Sequence, residues 1–300
     1  MGQIQTENTK CGFVAVVGKP NAGKSTLLNW LIGEKIMLVS HKANATRKRL
    51  KGILMHNDAQ IILVDTPGLQ TGKKLLNEYM LSEAVKALQD ADLTLFIADG
   101  RTAERDYAEY MELAGDKPHI LLVNKIDMLQ KERLVQTLDG LNSGNKKFLE
   151  LIPISATKEK GGKQILDSIV KYLPDSPYLY DPEFLTDQTI REIYKEIIRE
   201  ELFNGLSDEI PYETEVVINK IHESDTFDKV EATIIANKDS QKAMIIGKGG
   251  QTIKRIGTRA RIALERFSQK KIHLELFVKT SKNWVTSKQE LAEYGYDFES

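Results

Sequence analysis

Residues 18–25 read Gly18-Lys19-Pro20-Asn21-Ala22-Gly23-Lys24-Ser25, between an apolar run at 13–17 and a helical stretch at 25–32. A glycine-rich turn from a strand into a helix aims several backbone N–H groups at one point, which favours binding of a polyphosphate. Lys24 supplies a positive charge for the β and γ phosphates, and the hydroxyl of Ser25 is suited to ligate Mg²⁺. The stretch therefore predicts a phosphate-binding loop (P-loop).

Further short apolar runs indicate buried parallel strands at 13–17, 61–64, 93–98, 119–123 and 150–154. Helical periodicity lies between them, for example at 78–88, 103–113 and 163–173, and the run 52–56 is typical of an antiparallel hairpin arm. This alternation predicts an α/β fold with a doubly wound, mostly parallel sheet that ends near Leu173.

A second motif, Asp65-Thr66-Pro67-Gly68, follows the predicted strand 61–64. The carboxylate of Asp65 is suited to hold Mg²⁺ through water, and the backbone N–H of Gly68 to sense a γ-phosphate. The alternative is an ordinary acid in a turn, but the company of the other motifs favours the metal role.

Two more motifs, Asn124-Lys125-Ile126-Asp127 and Ser155-Ala156, follow the strands 119–123 and 150–154. A carboxylate at Asp127 accepts hydrogen bonds from N1–H and N2–H₂ of guanine, whereas adenine presents a lone pair and no amino group there. Lys125 is expected to lie along the base, and the N–H of Ala156 to reach guanine O6. Because ligands of such sheets bind at the carboxyl edge, the motifs predict a site for GTP or GDP.

The composition is that of an ordinary globular protein of 300 residues, with 41% hydrophobic and 28% charged content and a net charge of -1. The first residues are polar, and no apolar run is long enough for a membrane span, so we expect a cytoplasmic location. The single cysteine, Cys11, is expected to pack as a small hydrophobe near the first strand.

The last third of the chain predicts a separate RNA-binding module. Residues 174–182 hold three prolines and indicate a semi-rigid linker, after which the pattern favours helix, strand, strand, helix, helix, strand. Gly247-Lys248-Gly249-Gly250 stands between the last two helices, where glycines let a nucleic-acid backbone approach closely; KH domains clamp about four nucleotides in this way. Cations, including Lys248 and Lys254, predominate from 239 to 288 and suit RNA phosphates.

A switch hydroxyl that closes on Mg²⁺ is also expected, and Thr46 in Asn44-Ala45-Thr46-Arg47 is the candidate. With this string, the chain resembles the bacterial Era GTPases over nearly its whole length. The resemblance implies a P-loop GTPase domain followed by a type II KH α+β domain. Ala45 departs from the usual threonine, which leaves the metal ligand in place but puts a secondary role at position 45 in doubt.

Hydrolysis is expected to be slow, because Leu69 stands where many GTPases carry a glutamine that orients the attacking water. Lys24, Thr46 and Gly68 form the expected catalytic set. The resemblance implies that Asn21 helps to bind K⁺, the alternative being an asparagine that tolerates a left-handed turn. Arg47 is expected to be a solvated or RNA-facing charge on an exposed loop.

The resemblance further implies binding of the 3′ region of 16S ribosomal RNA during maturation of the small ribosomal subunit, with peripheral contact to the inner membrane and a monomeric state. Trp284 is expected either to stack on a base or to pack against its own helices. The rival function is a constitutive RNA-binding protein with a vestigial nucleotide domain. An RNA-modification GTPase would require another catalytic cluster, which the sequence does not supply.

The complete prediction has three segments: a GTP-binding domain at 1–173, a linker at 174–183, and a type II KH domain with a C-terminal tail at 184–300. Expected metal ligands are Ser25, Thr46 and Asp65 for Mg²⁺, with Asn21 for K⁺. The expected RNA contacts are Gly247, Lys248, Gly249, Gly250 and Lys254. The expected GTP contacts are Gly18, Lys19, Pro20, Asn21, Ala22, Gly23, Lys24, Ser25, Thr26, Asp65, Thr66, Pro67, Gly68, Asn124, Lys125, Asp127, Ser155 and Ala156.

Overall fold

A computed structural model describes residues 9–40, 46–69, 74–115, 117–144, 147–206, 210–296 and 298. These form two compact units. The first contains residues 9–37, 46–69, 80–115, 117–144 and 147–187. The second contains residues 38–40, 74–79, 188–206, 210–296 and 298. The division at 173 and 183 stays a prediction.

The first unit alternates strands and helices along the chain. Its strands are β1 (Lys10–Val17), β2 (Leu50–His56), β3 (Ala59–Asp65), β4 (Leu93–Asp99), β5 (His119–Asn124) and β6 (Glu150–Pro153). Its helices are α1 (Lys24–Ile32), α2 (Leu75–Asp90), α3 (Ala103–Ala114), α4 (Lys131–Ser143) and α5 (Gly162–Tyr172), of which α2 begins in the second unit. The strands form one sheet in the order β2-β3-β1-β4-β5-β6, parallel except for the β2–β3 pair.

The strand sequences explain this sheet. Every residue of β3 and β5 is buried, since helices cover both faces, and such strands read as continuous apolar runs. Two apolar clusters flank the sheet, one around Leu27, Leu63 and Ile165, the other around Ala15, Phe96 and Tyr110. Cys11 is buried beside Gln60, in the packing role expected from the sequence. All carboxyl ends of the parallel strands meet at one edge, where the four motifs lie.

Residues 174–187 run along the first unit. The side chain of Gln60 accepts the N–H groups of Leu179 and Tyr180 at 2.9 and 3.0 Å and donates to the Tyr180 carbonyl at 2.8 Å. Further along, the N–H of Ile53 in β2 donates to the carbonyl of Leu185 at 2.8 Å. The outer side of β2 is therefore paired with this segment.

The second unit contains the element order expected from the sequence, followed by an additional short helix. It consists of α6 (Ile190–Gly205), β7 (Thr214–His222), β8 (Phe227–Ala236), α7 (Asp239–Ile246), α8 (Gln251–Ser268), β9 (Lys271–Thr280) and α9 (Lys288–Glu293). β7 pairs antiparallel with β8, and β8 parallel with β9. Ile198, Val216, Ile234, Ala260 and Leu264 belong to its core.

Helix α6 starts sharply because Thr189 and Glu192 form a capping box. The Glu192 N–H donates to Oγ1 of Thr189 at 3.3 Å, and the Thr189 N–H donates to Oε2 of Glu192 at 2.8 Å. Trp284 is fully buried and donates from Nε1 to the carbonyl of Glu213 at 3.1 Å. The expectation that Trp284 stacks on a base is therefore wrong, and the packing alternative holds.

None of the helices in the described ranges combines the length and the apolar character that a bilayer crossing requires.

Candidate nucleotide site and RNA clamp

The P-loop follows β1 and leads into α1, and its glycines are required by close contacts. A Cβ on Gly18 would lie 2.2 Å from the carbonyl oxygen of Ile97, and one on Gly23 would lie 2.3 Å from Nδ2 of Asn124. Gly23 also has a left-handed backbone with φ 107. Lys19 pairs with Asp106 at 2.9 Å, and Thr26 is half-buried in the first turn of α1.

Lys24 is buried at the base of this loop, with 7% of its surface exposed. Its Nζ donates to the carbonyls of Gly18 and Lys19, both at 3.1 Å. Burial lowers the pKa of Lys24 to about 8, because the charged amine loses hydration, while the charge of Asp65 opposes the shift. A phosphate ligand would restore the favourable environment of the ammonium group.

Three oxygen-bearing side chains from separate segments converge beside Lys24. The carboxylate oxygen Oδ2 of Asp65 accepts hydrogen bonds from Ser25 Oγ at 2.8 Å and Thr46 Oγ1 at 3.1 Å, and the two hydroxyls lie 3.2 Å apart. Asp65 is fully buried, which raises the pKa of its carboxyl, and its Oδ1 has no hydrogen-bond partner among the described residues. A buried carboxylate oxygen without a donor fits a hard cation, and one carboxylate with hydroxyls and water is the donor set Mg²⁺ uses in phosphate sites.

The described residues contain no cluster of three or more His, Cys, Asp or Glu side chains suited to a metal. The Mg²⁺ ligands would instead be Ser25 and Thr46, with Asp65 acting through water. Bound there, Mg²⁺ would neutralise charge on the β and γ phosphates.

Asn124 joins three of the motifs. Its Nδ2 donates to the carbonyl of Ala22 in the P-loop at 2.8 Å, and its Oδ1 accepts the N–H of Ala156 at 3.0 Å. Both bonds are buried, so the positions of the phosphate loop and the base-binding loops depend on one amide.

The base-recognition residues lie in the loops that follow β5 and β6, beside Asn124. Asp127 is exposed, and its Oδ1 accepts a hydrogen bond from Ser155 Oγ at 2.5 Å. Lys125 has a left-handed backbone, and its Nζ donates to the carbonyl of Asn21 at 2.6 Å. The Asp127 carboxylate is therefore fixed in orientation while open to a ligand from solvent.

The loop after β3 packs tightly on the P-loop. A Cβ on Gly68 would lie 2.8 Å from the ring of Pro20, and buried Thr66 donates from Oγ1 to the carbonyl of Val16 at 2.8 Å. Pro67 is buried, and Leu69 packs against the apolar cluster that contains Phe96. Leu69 is thus an apolar packing residue, and its side chain has no group that could orient water.

The expectation that Arg47 is a solvated or RNA-facing charge is wrong, because the residue is buried with 3% of its surface exposed. Asn44 and Ala45 lie outside the described residues, and the effect of alanine at position 45 stays a prediction.

Sequence reasoning missed Asp99 at the end of β4. Its Oδ2 accepts Lys125 Nζ at 2.9 Å, and it also binds Arg101. Burial raises the pKa of Asp99, but the hydrogen bonds from Arg101 and Lys125 outweigh this and hold it well below its usual value. Asp99 thereby fixes Lys125 beside the P-loop residue Asn21. The signal available in the sequence was its place at the carboxyl end of a predicted strand.

The RNA clamp in the second unit has the backbone that only glycine adopts readily. Gly247, Gly249 and Gly250 have φ of 73, 58 and 76, and Lys248 between them is exposed. A Cβ on Gly249 or Gly250 would meet no atom within 4 Å, so crowding within the protein does not require glycine there. The positive φ of both residues favours glycine, and the lack of a side chain leaves room for a nucleic-acid backbone. Lys254 is exposed in the first turns of α8. The backbone of this loop is therefore accessible to a single-stranded nucleic acid.

Comparison with known proteins identifies both parts of the chain. Residues 13–125 match the family described as 50S ribosome-binding GTPase, and residues 209–285 match the KH domain family. GTPase Era of Campylobacter lari is 46% identical over 96% of this chain and 99% of its own length. The chain belongs to the Era GTPase family. GTPase Era of Helicobacter pylori strain G27 is 47% identical over 96% of this chain and 97% of its own length.

Solved Era structures confirm the predicted fold class. A variant of Aquifex aeolicus Era bound to GDP·AlF4⁻ has a TM-score of 0.92 and 36% identity, covering 97% of this chain and all of that one. Era in complex with MgGDPNP and nucleotides 1506–1542 of 16S ribosomal RNA has a TM-score of 0.91 with the same identity and coverage. Members of the Era family are GTPases that pair a P-loop domain with a KH domain.

The depressed pKa of Lys24 predicts how nucleotide affinity depends on pH. Below pH 8, Lys24 is protonated with or without nucleotide, so GDP affinity should be constant. Above pH 8, binding must take up a proton, and affinity should fall by up to about tenfold per pH unit. Calorimetric titration between pH 7 and 9 measures this, with guanosine as the control because it lacks phosphates. An equal pH dependence for GDP and guanosine would contradict the assignment of Lys24 to the phosphates.

Proposed function

We propose that this protein is a GTP-hydrolysing switch that binds the 3′ region of 16S ribosomal RNA through its KH module and acts in maturation of the small ribosomal subunit. The observation that carries the proposal is its likeness, over 97% of its length, to Era solved with MgGDPNP and a 16S fragment. The Asn124-centred pocket and the open Gly247–Gly250 loop supply the two matching sites. The cofactor in this proposal is Mg²⁺, held by Ser25, Thr46 and Asp65.

In the mechanism we propose, the P-loop N–H groups and Lys24 bind the β and γ phosphates, while Asp127 selects guanine. In the GTP-bound state Thr46 would help to hold Mg²⁺ and the N–H of Gly68 would contact the γ-phosphate, and both contacts would be lost after hydrolysis. The absence of a polar side chain at Leu69 leaves water to be positioned by backbone groups, so intrinsic hydrolysis is slow.

The nucleotide state is proposed to set RNA affinity. The test compares the affinity for a fragment of the 16S 3′ end with a non-hydrolysable GTP analogue, with GDP and without nucleotide. Different affinities support the switch. Equal affinities would favour the rival function, a constitutive RNA-binding protein.

Exposed cations of the second unit support the RNA part. Lys248, Lys254, Arg259 and Arg266 are exposed, and no acid among the described residues forms an ion pair with them. Other cations of the unit are paired, such as Arg261 with Glu265 at 2.8 Å. Cations without local partners are available to neutralise phosphates, which gives an RNA affinity that falls as salt rises.

Lys248→Asp should weaken RNA binding at least about tenfold, because it replaces a phosphate contact in the clamp with a repulsive charge. Filter binding or fluorescence anisotropy measures the affinity, and basal GTP hydrolysis should stay unchanged. The matched control is Lys131→Asp, at an exposed lysine of α4 in the first unit. Equal RNA affinity of wild type and Lys248→Asp would remove this lysine from the RNA site.

A potassium ion near Asn21 is proposed as a second cation that neutralises charge developing during hydrolysis. Asn21 has the left-handed backbone, φ 62, that the turn alternative also requires, and its carbonyl already accepts Lys125 Nζ. Hydrolysis should therefore be faster in potassium than in sodium buffer at equal ionic strength. Equal hydrolysis rates in the two buffers would contradict the potassium site and leave the left-handed turn as the only role of Asn21.

We also propose a cytoplasmic monomer whose basic face contacts the inner membrane reversibly, and the domain division 1–173, 174–183 and 184–300. Co-sedimentation with anionic vesicles tests the membrane contact, and analytical ultracentrifugation tests the monomer.

Limited proteolysis tests the division. Stable fragments whose ends fall between 174 and 183 support it, and stable fragments that end elsewhere oppose it.

A further inference from the structure

Lys74 stands shortly after Gly68 in the sequence and directly precedes α2. Its carbonyl accepts the N–H groups of Asn77 at 2.9 Å and Glu78 at 3.1 Å, so the residue is fixed to the first turn of the helix. Its Nζ forms an ion pair with Oε1 of Glu213. Both residues belong to the second unit. The beginning of α2 is therefore tied by a charged side chain to the residue before β7.

Glu213 makes further contacts that lead away from α2. Its Oε2 accepts hydrogen bonds from Gln241 Nε2 at 2.7 Å and Asn237 Nδ2 at 3.1 Å, and its carbonyl accepts Trp284 Nε1. Only 14% of its side chain is exposed. Burial alone raises the pKa of Glu213, but the hydrogen bonds from Lys74, Gln241 and Asn237 outweigh it and lower the pKa to about 2. The carboxylate is charged at any physiological pH.

Gln241 in turn holds the start of α7. Its Oε1 accepts the N–H groups of Asn237 at 3.1 Å and Lys238 at 3.0 Å, which caps the first turn. α7 has 8 residues, so it is about 12 Å long. It ends where the N–H of Gly247 donates to the carbonyl of Ala243 at 2.9 Å, and the clamp begins there. Side-chain contacts from Lys74 to Gln241, continued by the backbone of α7, therefore connect Lys74 to the RNA-binding loop.

We propose that the Lys74–Glu213 ion pair transmits the nucleotide state to the RNA clamp, with Glu213 as a positioning residue for α7. The inference rests on the proposed function, because it names the residues through which that switch would act. A change in the contacts of Gly68 with nucleotide state would shift the first turn of α2 and Lys74 with it, and Glu213 would lose or gain its charged partner. The hydrogen bonds that Gln241 and Asn237 donate to Glu213 would then change in geometry, and the position of α7 would change with them.

The chemistry of the pair suits this role. Lys74 is 48% exposed, so solvent screens its pair with Glu213 and can hydrate the ammonium group when the pair breaks. Hydration of Lys74 lowers the cost of breaking the pair, whereas the bonds that Glu213 accepts from Gln241 and Asn237 link it to the start of α7. Energetic coupling between two sites requires such an element with two arrangements.

The test is the ratio of RNA affinities measured with a non-hydrolysable GTP analogue and with GDP, for a fragment of the 16S 3′ end. It is determined for wild type, Lys74→Met, Glu213→Gln and the double variant. Wild type should show a ratio in the range of about 5- to 150-fold that is typical of coupled sites. Each single variant should bring the ratio close to one. The double variant should do no more, because both changes break the same link.

Lys282→Met is the matched control. Lys282 pairs with Asp239 at 3.3 Å, at the first residue of α7. It thus contacts the same end of this helix but is not part of the set formed by Lys74, Glu213 and Gln241. It should keep the wild-type ratio, and GTP affinity should be unchanged in every variant. Thermal unfolding checks that each is folded, and Lys74→Met, with its half-exposed side chain, decides the outcome should Glu213→Gln not fold.

A wild-type ratio retained in Lys74→Met would overturn the ion-pair proposal and leave the switch function intact. A wild-type ratio of one would overturn both, since there would then be no nucleotide effect to transmit. A ratio close to one in Lys282→Met as well would also overturn the ion-pair proposal, because any disturbance of α7 would then be enough to abolish the effect of nucleotide on RNA affinity.

Discussion

Asp127→Asn should convert the protein from a guanine to a xanthine nucleotide binder. Asparagine keeps one acceptor for N1–H but presents an amide N–H₂ where the guanine amino group lies, and xanthine carries an oxygen at that position. Because a site built to pair with a polar group rejects a mismatched analogue by about 10⁴- to 10⁵-fold, GTP affinity should fall by several decades. Competition of GTP and xanthosine triphosphate for a fluorescent nucleotide measures the change.

The structure indicates that this substitution will leave the loop in place. Asn Oδ1 can still accept the hydrogen bond that Ser155 Oγ now donates to Asp127 at 2.5 Å, and the Asn124 contacts to Ala22 and Ala156 do not involve position 127. Asp139→Asn, at an exposed acid of α4, is the control. Unchanged GTP affinity in Asp127→Asn would remove Asp127 from the base pocket.

Asp65→Asn should lower the rate of GTP hydrolysis by about 10³-fold at saturating Mg²⁺. The amide can still accept from Ser25 or Thr46 through its oxygen, but its nitrogen would occupy the place of Oδ1 or Oδ2 and cannot hold a water on the metal. Single-turnover hydrolysis across a Mg²⁺ titration measures the effect. GDP affinity in the presence of a chelator should change little, since the phosphate-loop contacts remain.

The control for Asp65 is Asp58→Asn, an exposed acid in the turn between β2 and β3. It represents the ordinary turn acid that the sequence left as the alternative. Hydrolysis within about threefold of wild type in Asp65→Asn would mean that position 65 has no part in metal binding.

The sequence predicted the strands of the first unit well, because each is a buried apolar run that a parallel sheet requires. β4, expected at 93–98, is Leu93–Asp99, and β5, expected at 119–123, is His119–Asn124. Helix α4 was not among the helices predicted from the sequence. Its apolar periodicity is weak, because only Thr137 and Leu141 are buried in it.

What the sequence could not reveal are contacts between side chains far apart in the chain. Arg47 is a charged residue in a polar string, and nothing local indicates its burial. Asn124 and Asp99 organise the nucleotide site through partners on other loops, and Glu213 through partners at positions 74 and 241. Motif spacing predicts which residues meet a ligand, but the residues that hold them depend on the assembled fold.

The course of residues 174–187 also protects the first unit from self-association. β2 is an edge strand, and an uncovered edge offers free N–H and carbonyl groups on which another chain can add a strand. Here the Leu185 carbonyl and the Thr186 hydroxyl occupy groups of Ile53 and Lys51, and the opposite edge is the short β6, which ends at Pro153. The proline-rich stretch thus acts as an aggregation guard, and cutting the protein after residue 173 would leave that strand bare and prone to form intermolecular β-structure.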